Sequence, residues 1–138
     1  FVAMMDKDSA AFEAYMAAVQ LPKTTLSEKT DRRAAMQEAL KGSTQAPLAL
    51  ATRICDFTEL LTTTFSDAPK SIASDLYVGA AMLEAAFSGA IANVYVNLAY
   101  LKDVTFVSEA HAAVQQCQQR IGVLGIFKAS IGHLLDIV

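Results

Sequence analysis

Residues 74–101 read SDLYVGAAMLEAAFSGAIANVYVNLAYL, and this stretch decides the architecture. Small and unbranched apolar side chains dominate it. No proline and no alternating β-branched run interrupts it, so it reads as a helix. Ser74 and Asp75 open it. Both residue types cap helix N-termini, and a carboxylate there suits the helix dipole. The stretch is long enough to cross a bilayer and nearly uncharged. Yet Glu84, Asn93 and Asn97 lie inside it, where lipid makes polar groups expensive, and no Lys/Arg asymmetry flanks it. A helix buried in a bundle is the better reading. Gly79, Ala80, Ala86, Gly89, Ala90 and Ala92 would let neighbouring backbones approach closely. An all-round apolar helix in so small a chain also predicts burial against a second subunit.

Working outward, residues 1–20 read as a helix, with Met5, Phe12, Tyr15, Met16 and Val19 near one another at 3.6-residue spacing. Leu21-Pro22-Lys23 ends it, because the residue before proline leaves the α region. Thr25-Leu26-Ser27-Glu28 is a capping-box pattern. The helix it starts runs to about Leu40, with Gly42 as a plausible stop. A third segment spans residues 45–64 with Pro47 in its first turn. If the second and third segments are continuous instead, Pro47 marks a kink. Asp67, Pro69 and Ser71 make residues 65–73 a loop. Lys102-Asp103 interrupts the pattern, and a last helix runs from Val104 toward Val138. The expectation is one all-α domain over residues 1–138, a bundle of about five helices, two of them long, packed in a homodimer or larger oligomer.

A chain of 138 residues suffices for one domain with a real core. Its net charge of −3, with no basic stripe and interleaved aromatics, argues against a nucleic-acid binder. Cys55 and Cys117 sit inside apolar helical patterns and read as buried reduced thiols, which suits a cytoplasmic location. No metal-ligand spacing surrounds His111 or His133. Residues 1–5 carry no basic leader and no cleavage site. They read as the interior of a helix under way, so the chain is expected to be the later part of a longer protein.

Several short patterns fall in order. They are Asp6-Lys7-Asp8-Ser9-Ala10-Ala11-Phe12, Leu21-Pro22-Lys23, Glu28-Lys29 with Arg32-Arg33 and Gln37, then Pro47-Leu48 and Ser74-Asp75. Gly89-Ala90, Asn93-Val94, Asn97-Leu98, Lys102-Asp103 and Phe106 complete the series. In this order and spacing, over roughly residues 4–107, the chain resembles the formiminotetrahydrofolate cyclodeaminase and methenyltetrahydrofolate cyclohydrolase family. The family's earlier glycine-rich Pro-Gly-Gly-Gly-Ser stretch has no match here.

The resemblance implies folate one-carbon chemistry, with a folate as substrate and neither metal nor permanent cofactor. Cyclodeamination of 5-formiminotetrahydrofolate to 5,10-methenyltetrahydrofolate, with release of ammonia, is the expected reaction. Methenyltetrahydrofolate cyclohydrolase activity is the close alternative. A non-catalytic helical dimerisation module and a membrane-associated helical protein are the rivals from other classes. The family's proposed catalytic aspartate matches Asp8 by its spacing to Phe12. Asp8 shares a helix face with Phe12 and Tyr15, whereas Asp6 lies about 200° around the axis. Ser74 and Asp75 are either a helix cap alone or groups presented to a pterin. Asn93 and Asn97, four residues apart, stack on one face. They serve either an inter-helix hydrogen-bond network or a ligand or subunit contact. Lys23, Lys29, Arg32 and Arg33 form a locally basic region. It is either a solvated helix paired with Glu28 and Asp31 or a hold on a folate's glutamate tail, with Lys23 the best single candidate.

Overall fold

The computed structural model describes the backbone of residues 2–137 and the side chains of residues 6–137. Four α-helices follow one another: α1 (Val2–Gln20), α2 (Leu26–Thr64), α3 (Ala73–Leu98) and α4 (Val104–Leu134). A 3-10 turn, Lys70–Ile72, leads into α3, and no strand occurs among the described residues. The all-α expectation holds. Met5, counted above on the apolar face of α1, lies outside the described side chains.

The α1–α2 turn forms as its local chemistry dictates. Thr25 caps α2: its side chain accepts from the Glu28 N–H at 3.2 Å, and Glu28 accepts in return from the Thr25 N–H at 2.9 Å. Those backbone bonds, from Thr25 first and Thr24 second, hold the Glu28 carboxyl below its usual range. Arg32 Nε donates to the Val19 carbonyl at 3.0 Å, placing a cation at the C-terminal end of α1.

The second and third helical segments are one helix. Gly42 does not stop α2, and Pro47 lies inside it, buried. Proline has no N–H, so the Ser43 carbonyl, four residues back, loses its helical donor. Asn97 Nδ2 from α3 supplies the missing bond to the Ser43 carbonyl at 2.8 Å. A tertiary contact thus repairs what the local signal would break.

The start of α3 also differs from the expected cap. Ile72, not Ser74, occupies the N-cap, and no side chain caps the helix. The 3-10 turn does that work: the Ile72 N–H bonds to the Pro69 carbonyl and the Ala73 N–H to the Lys70 carbonyl. Asp75 remains in the first turn, where the dipole favours it. Asp103 caps α4, accepting from the Phe106 N–H at 3.1 Å.

Helix α2 is the hub, packing against α1, α3 and α4, while α3 and α4 pack on each other. The core lies between α2, α3 and α4, around Ile54, Phe87, Ile91, Val94 and Val114. A second cluster, around Leu124, Phe127 and Ile131, closes the other end. Cys55 and Cys117 are buried free thiols in the first cluster. Burial pushes the Cys55 thiol up to about 11. Arg120 of α4 bridges Asp56 and Glu59 of α2, both at 2.7 Å, and Lys128 of α4 pairs with Glu84 of α3.

Candidate functional site

Because α1 and α3 both lie on α2 without packing extensively on each other, a groove opens between them. It holds a cavity of about 280 Å³. Asp8, Phe12 and Tyr15 of α1 form one wall, and Asn93, Val96 and Asn97 of α3 the other. Leu40 and Ser43 of α2 make the floor, and Tyr100, just past α3, stands at the end. Positions 8, 12 and 15 follow the helical repeat, as do 93, 97 and 100. The geometry therefore comes directly from two helix faces set across a third.

Asp8 is exposed and alone carries a formal charge among the described lining residues. It makes no hydrogen bond or ion pair with another described residue. Asn93 Nδ2 donates to the Gly89 carbonyl at 3.0 Å, and Asn97 Nδ2 to the Ser43 carbonyl at 2.8 Å. Both amide oxygens are left without a donor from the described residues. The Ser43 hydroxyl is turned to the Ala11 carbonyl at 3.4 Å. The lining thus carries acceptors, one carboxylate and two amide oxygens, together with the Tyr15 and Tyr100 hydroxyls, which can donate or accept. A flat molecule rich in N–H donors complements that inventory.

The sequence-derived candidates divide. Asp8, Asn93 and Asn97 come together at the cavity. Ser74 and Asp75 do not join them: at 1.5 Å per residue, roughly 27 Å of helix separates Asp75 from Asn93. Asp75 instead borders a second cavity of about 470 Å³ between α2 and α3, otherwise lined by apolar residues and Gly79. Lys23 is exposed in the α1–α2 turn, outside the lining. Within the basic region, Arg32 is engaged with the Val19 carbonyl. Ser43 and Tyr100 were missed by sequence reasoning. Ser43 had one usable signal, being four residues before Pro47. His111 is exposed and lies beside Tyr95 in a tilted ring contact, with centroids 5.6 Å apart. No group of three or more His, Cys, Asp or Glu converges among the described residues.

Fold and cavity together define a helical-bundle domain with one carboxylate set in an aromatic groove. The profile of the formiminotransferase-cyclodeaminase family matches residues 1–116, and the chain belongs to that family. It is similar to formimidoyltransferase-cyclodeaminase of Gallus gallus, 42% identical over 113 residues, covering 82% of this chain and 21% of that protein. The protein of that name from Sus scrofa is 40% identical over 121 residues, covering 88% and 21%. Methenyltetrahydrofolate cyclohydrolase of Methylorubrum extorquens is 38% identical over 107 residues, covering 77% and 51%. The chain therefore spans about a fifth of the vertebrate relatives and half of the bacterial one. The crystal structure of formiminotetrahydrofolate cyclodeaminase from Thermotoga maritima matches with a TM-score of 0.75 at 23% identity. That match covers 97% of this chain and 61% of the other, a likeness of fold.

Proposed function

We propose that the chain carries the cyclodeaminase site for 5-formiminotetrahydrofolate. The observation that supports this best is the cavity itself: one carboxylate, Asp8, unpaired among the described residues, in a lining shared with two amides and aromatic rings. In the reaction, N10 attacks the carbon of the protonated formimino group, C=NH2+, whose π electrons move to its nitrogen as the new C–N bond forms, and N10 loses its proton to Asp8. Asp8 returns that proton to the departing nitrogen, which leaves as ammonia, and the ring closes to the 5,10-methenyl form. One carboxylate serves both transfers, with no net proton gained or lost by the protein. Holding both ends of one molecule in the groove removes much of the entropic barrier. Asn93 and Asn97 accept from N–H groups of the pterin, and the rings offer it apolar faces.

Lys23 lies three residues past the end of α1, and about 18 Å of helix separates Asp8 from that end. That separation suits a long substrate whose anionic glutamate tail extends away from the reacting ring. Ser74 and Asp75 are too remote to touch the same ring within one chain. A homodimer is part of the proposal. The region Lys70–Leu98 is apolar enough to cross a membrane, yet only 28% of its most apolar window is buried within the chain. Val78, Met82, Ala85, Gly89, Ala92 and Val96 are exposed along α3 at alternating spacings of four and three. That is the pattern of a helix awaiting another helix. A cytoplasmic setting follows from the same reading and agrees with two buried free thiols.

The relative named as a cyclohydrolase favours a second reading, hydrolysis of the methenyl form at the same carbon. An absorbance assay on the full-length protein separates the two. Gain of the methenyl band from 5-formiminotetrahydrofolate, with ammonia, is the expected result. Loss of the band from the methenyl substrate alone establishes the hydrolase. No turnover of either substrate leaves a helical dimerisation module.

A further inference from the structure

The turn between α3 and α4 is gripped from behind. Past Leu98 the backbone leaves the helical ladder, and the Tyr100 carbonyl and Lys102 N–H need partners outside it. The side-chain amide of Gln37, on α2, takes both. Its Nε2 donates to the Tyr100 carbonyl at 3.0 Å, and its Oε1 accepts from the Lys102 N–H at 2.8 Å. One helical turn along, Lys41 pairs with Asp103, the α4 cap, at 2.9 Å and lies 5.8 Å from the Phe106 ring centroid. The Asp103 partner holds the Lys41 ammonium above its usual range, and Lys41 holds the Asp103 carboxyl below its own.

On the other side of this turn the Tyr100 ring borders the Asp8 cavity. That side chain is 69% exposed and has no hydrogen bond to another described residue. The place from which the ring projects is set by its backbone, and its backbone carbonyl is tied to Gln37. We infer that Tyr100 is a substrate-contacting ring of the Asp8 site and that Gln37 is its positioning residue. This rests on the folate reading of the cavity. A flat heteroaromatic ring held at Asp8 presents its face to Tyr100, and the two-point clamp keeps that wall in place before substrate arrives. Only an amide can do this at position 37. A carboxylate would lack the donor for the Tyr100 carbonyl, and an aliphatic side chain would leave both backbone groups unpartnered.

The test is a double-mutant cycle on the full-length protein, measuring kcat and KM for 5-formiminotetrahydrofolate. Gln37→Ala and Tyr100→Ala should each raise KM by about tenfold while kcat stays within about twofold. The double variant should be no worse than Tyr100→Ala, because the clamp acts through the ring. Tyr100→Phe, which keeps the ring, should retain the wild-type KM. Multiplicative losses in the double variant, or a wild-type KM in Gln37→Ala with only a lower melting temperature, would overturn the inference. A Tyr100→Phe variant as weak as Tyr100→Ala would overturn the role of the ring. If the wild type turns over neither folate, the functional reading itself fails and this inference falls with it. If the wild type is active and Asp8→Asn is not, an additive cycle removes the positioning role alone.

Discussion

Towards its C-terminal end α3 turns Asn93 and Asn97 to a groove that holds Asp8. Towards its N-terminal end the same helix, with α2, walls a larger cavity whose one formally charged lining residue is Asp75. Both cavities have an aspartate, and the surroundings tell them apart. At the Asp8 end, two asparagines of α3 and the rings of Phe12, Tyr15 and Tyr100 share the lining with the carboxylate. At the Asp75 end, Phe57, Val78 and Met82 stand exposed, and no other polar side chain among the described residues lines the cavity. A carboxylate with orienting neighbours can direct a small molecule, whereas a broad apolar face without them is a surface for another helix.

The largest expected effect separates the two aspartates. Asp8→Asn keeps the shape and removes the proton acceptor, so turnover should fall by about a thousandfold. Melting temperature should stay unchanged, because Asp8 is exposed and unpaired among the described residues. Asp75→Asn should change kcat by less than about threefold. Steady-state kinetics on both variants decide it. Comparable losses would mean that the two ends of α3 meet in one site, through a second subunit.

A charge on the apolar face tests the other end. Met82 is 69% exposed in the single chain, so Met82→Asp costs the monomer little. In a symmetric dimer the charge is buried twice. The dimer dissociation constant should rise by about a hundredfold, or roughly 3 kcal/mol, since an unpaired buried charge costs several. Sedimentation at graded concentration reads this directly. An unchanged mass would place the dimer contact elsewhere.

How much of this contrast was legible in the sequence depended on distance along the chain. Thr25 and Glu28, Pro22 and Asp103 act on their immediate neighbours, and the boundaries they mark were read correctly. The face carrying Asp8, Phe12 and Tyr15 follows from spacing on one helix, as does the pair Asn93 and Asn97. Gly42 and Pro47 misled because the answer lay on α3. Nothing local announces that Asn97 will donate to Ser43. Tyr100 and Ser43 enter the site only through the way helices cross. Likewise the all-round apolar character of α3 points to burial against a second subunit, but periodicity alone cannot say which of its faces meets that subunit.

The repair at Pro47 gives the next prediction. Asn97→Ala leaves the Ser43 carbonyl without a donor and should destabilise the fold by about 2 kcal/mol. Adding Pro47→Ala restores a backbone N–H to that carbonyl, so the double variant should recover much of the loss. Chemical denaturation of the four proteins of the cycle measures the coupling. Independent losses would show that Asn97 contributes through packing, and that α2 tolerates its proline unaided.

The smallest effect concerns two threonines that mirror the two ends. Thr44 and Thr58 are both fully buried in α2. Thr44, near the Asp8 cavity, donates its hydroxyl to the Leu40 carbonyl at 2.8 Å. Thr58, on the side of the apolar end, has no partner for its Oγ1 among the described residues. Valine has nearly the same shape and no polar atom to satisfy. Thr58→Val should therefore stabilise the protein by about 1 kcal/mol, raising the melting temperature by about 3 °C. Thr44→Val should be neutral or lose a few tenths of a kcal/mol, because its donor is wasted while the Leu40 carbonyl keeps its helical bond. Calorimetry on the pair checks the sign. A lower melting temperature for Thr58→Val would mean that a buried water satisfies the hydroxyl, and that the apolar end is wetter than its lining suggests.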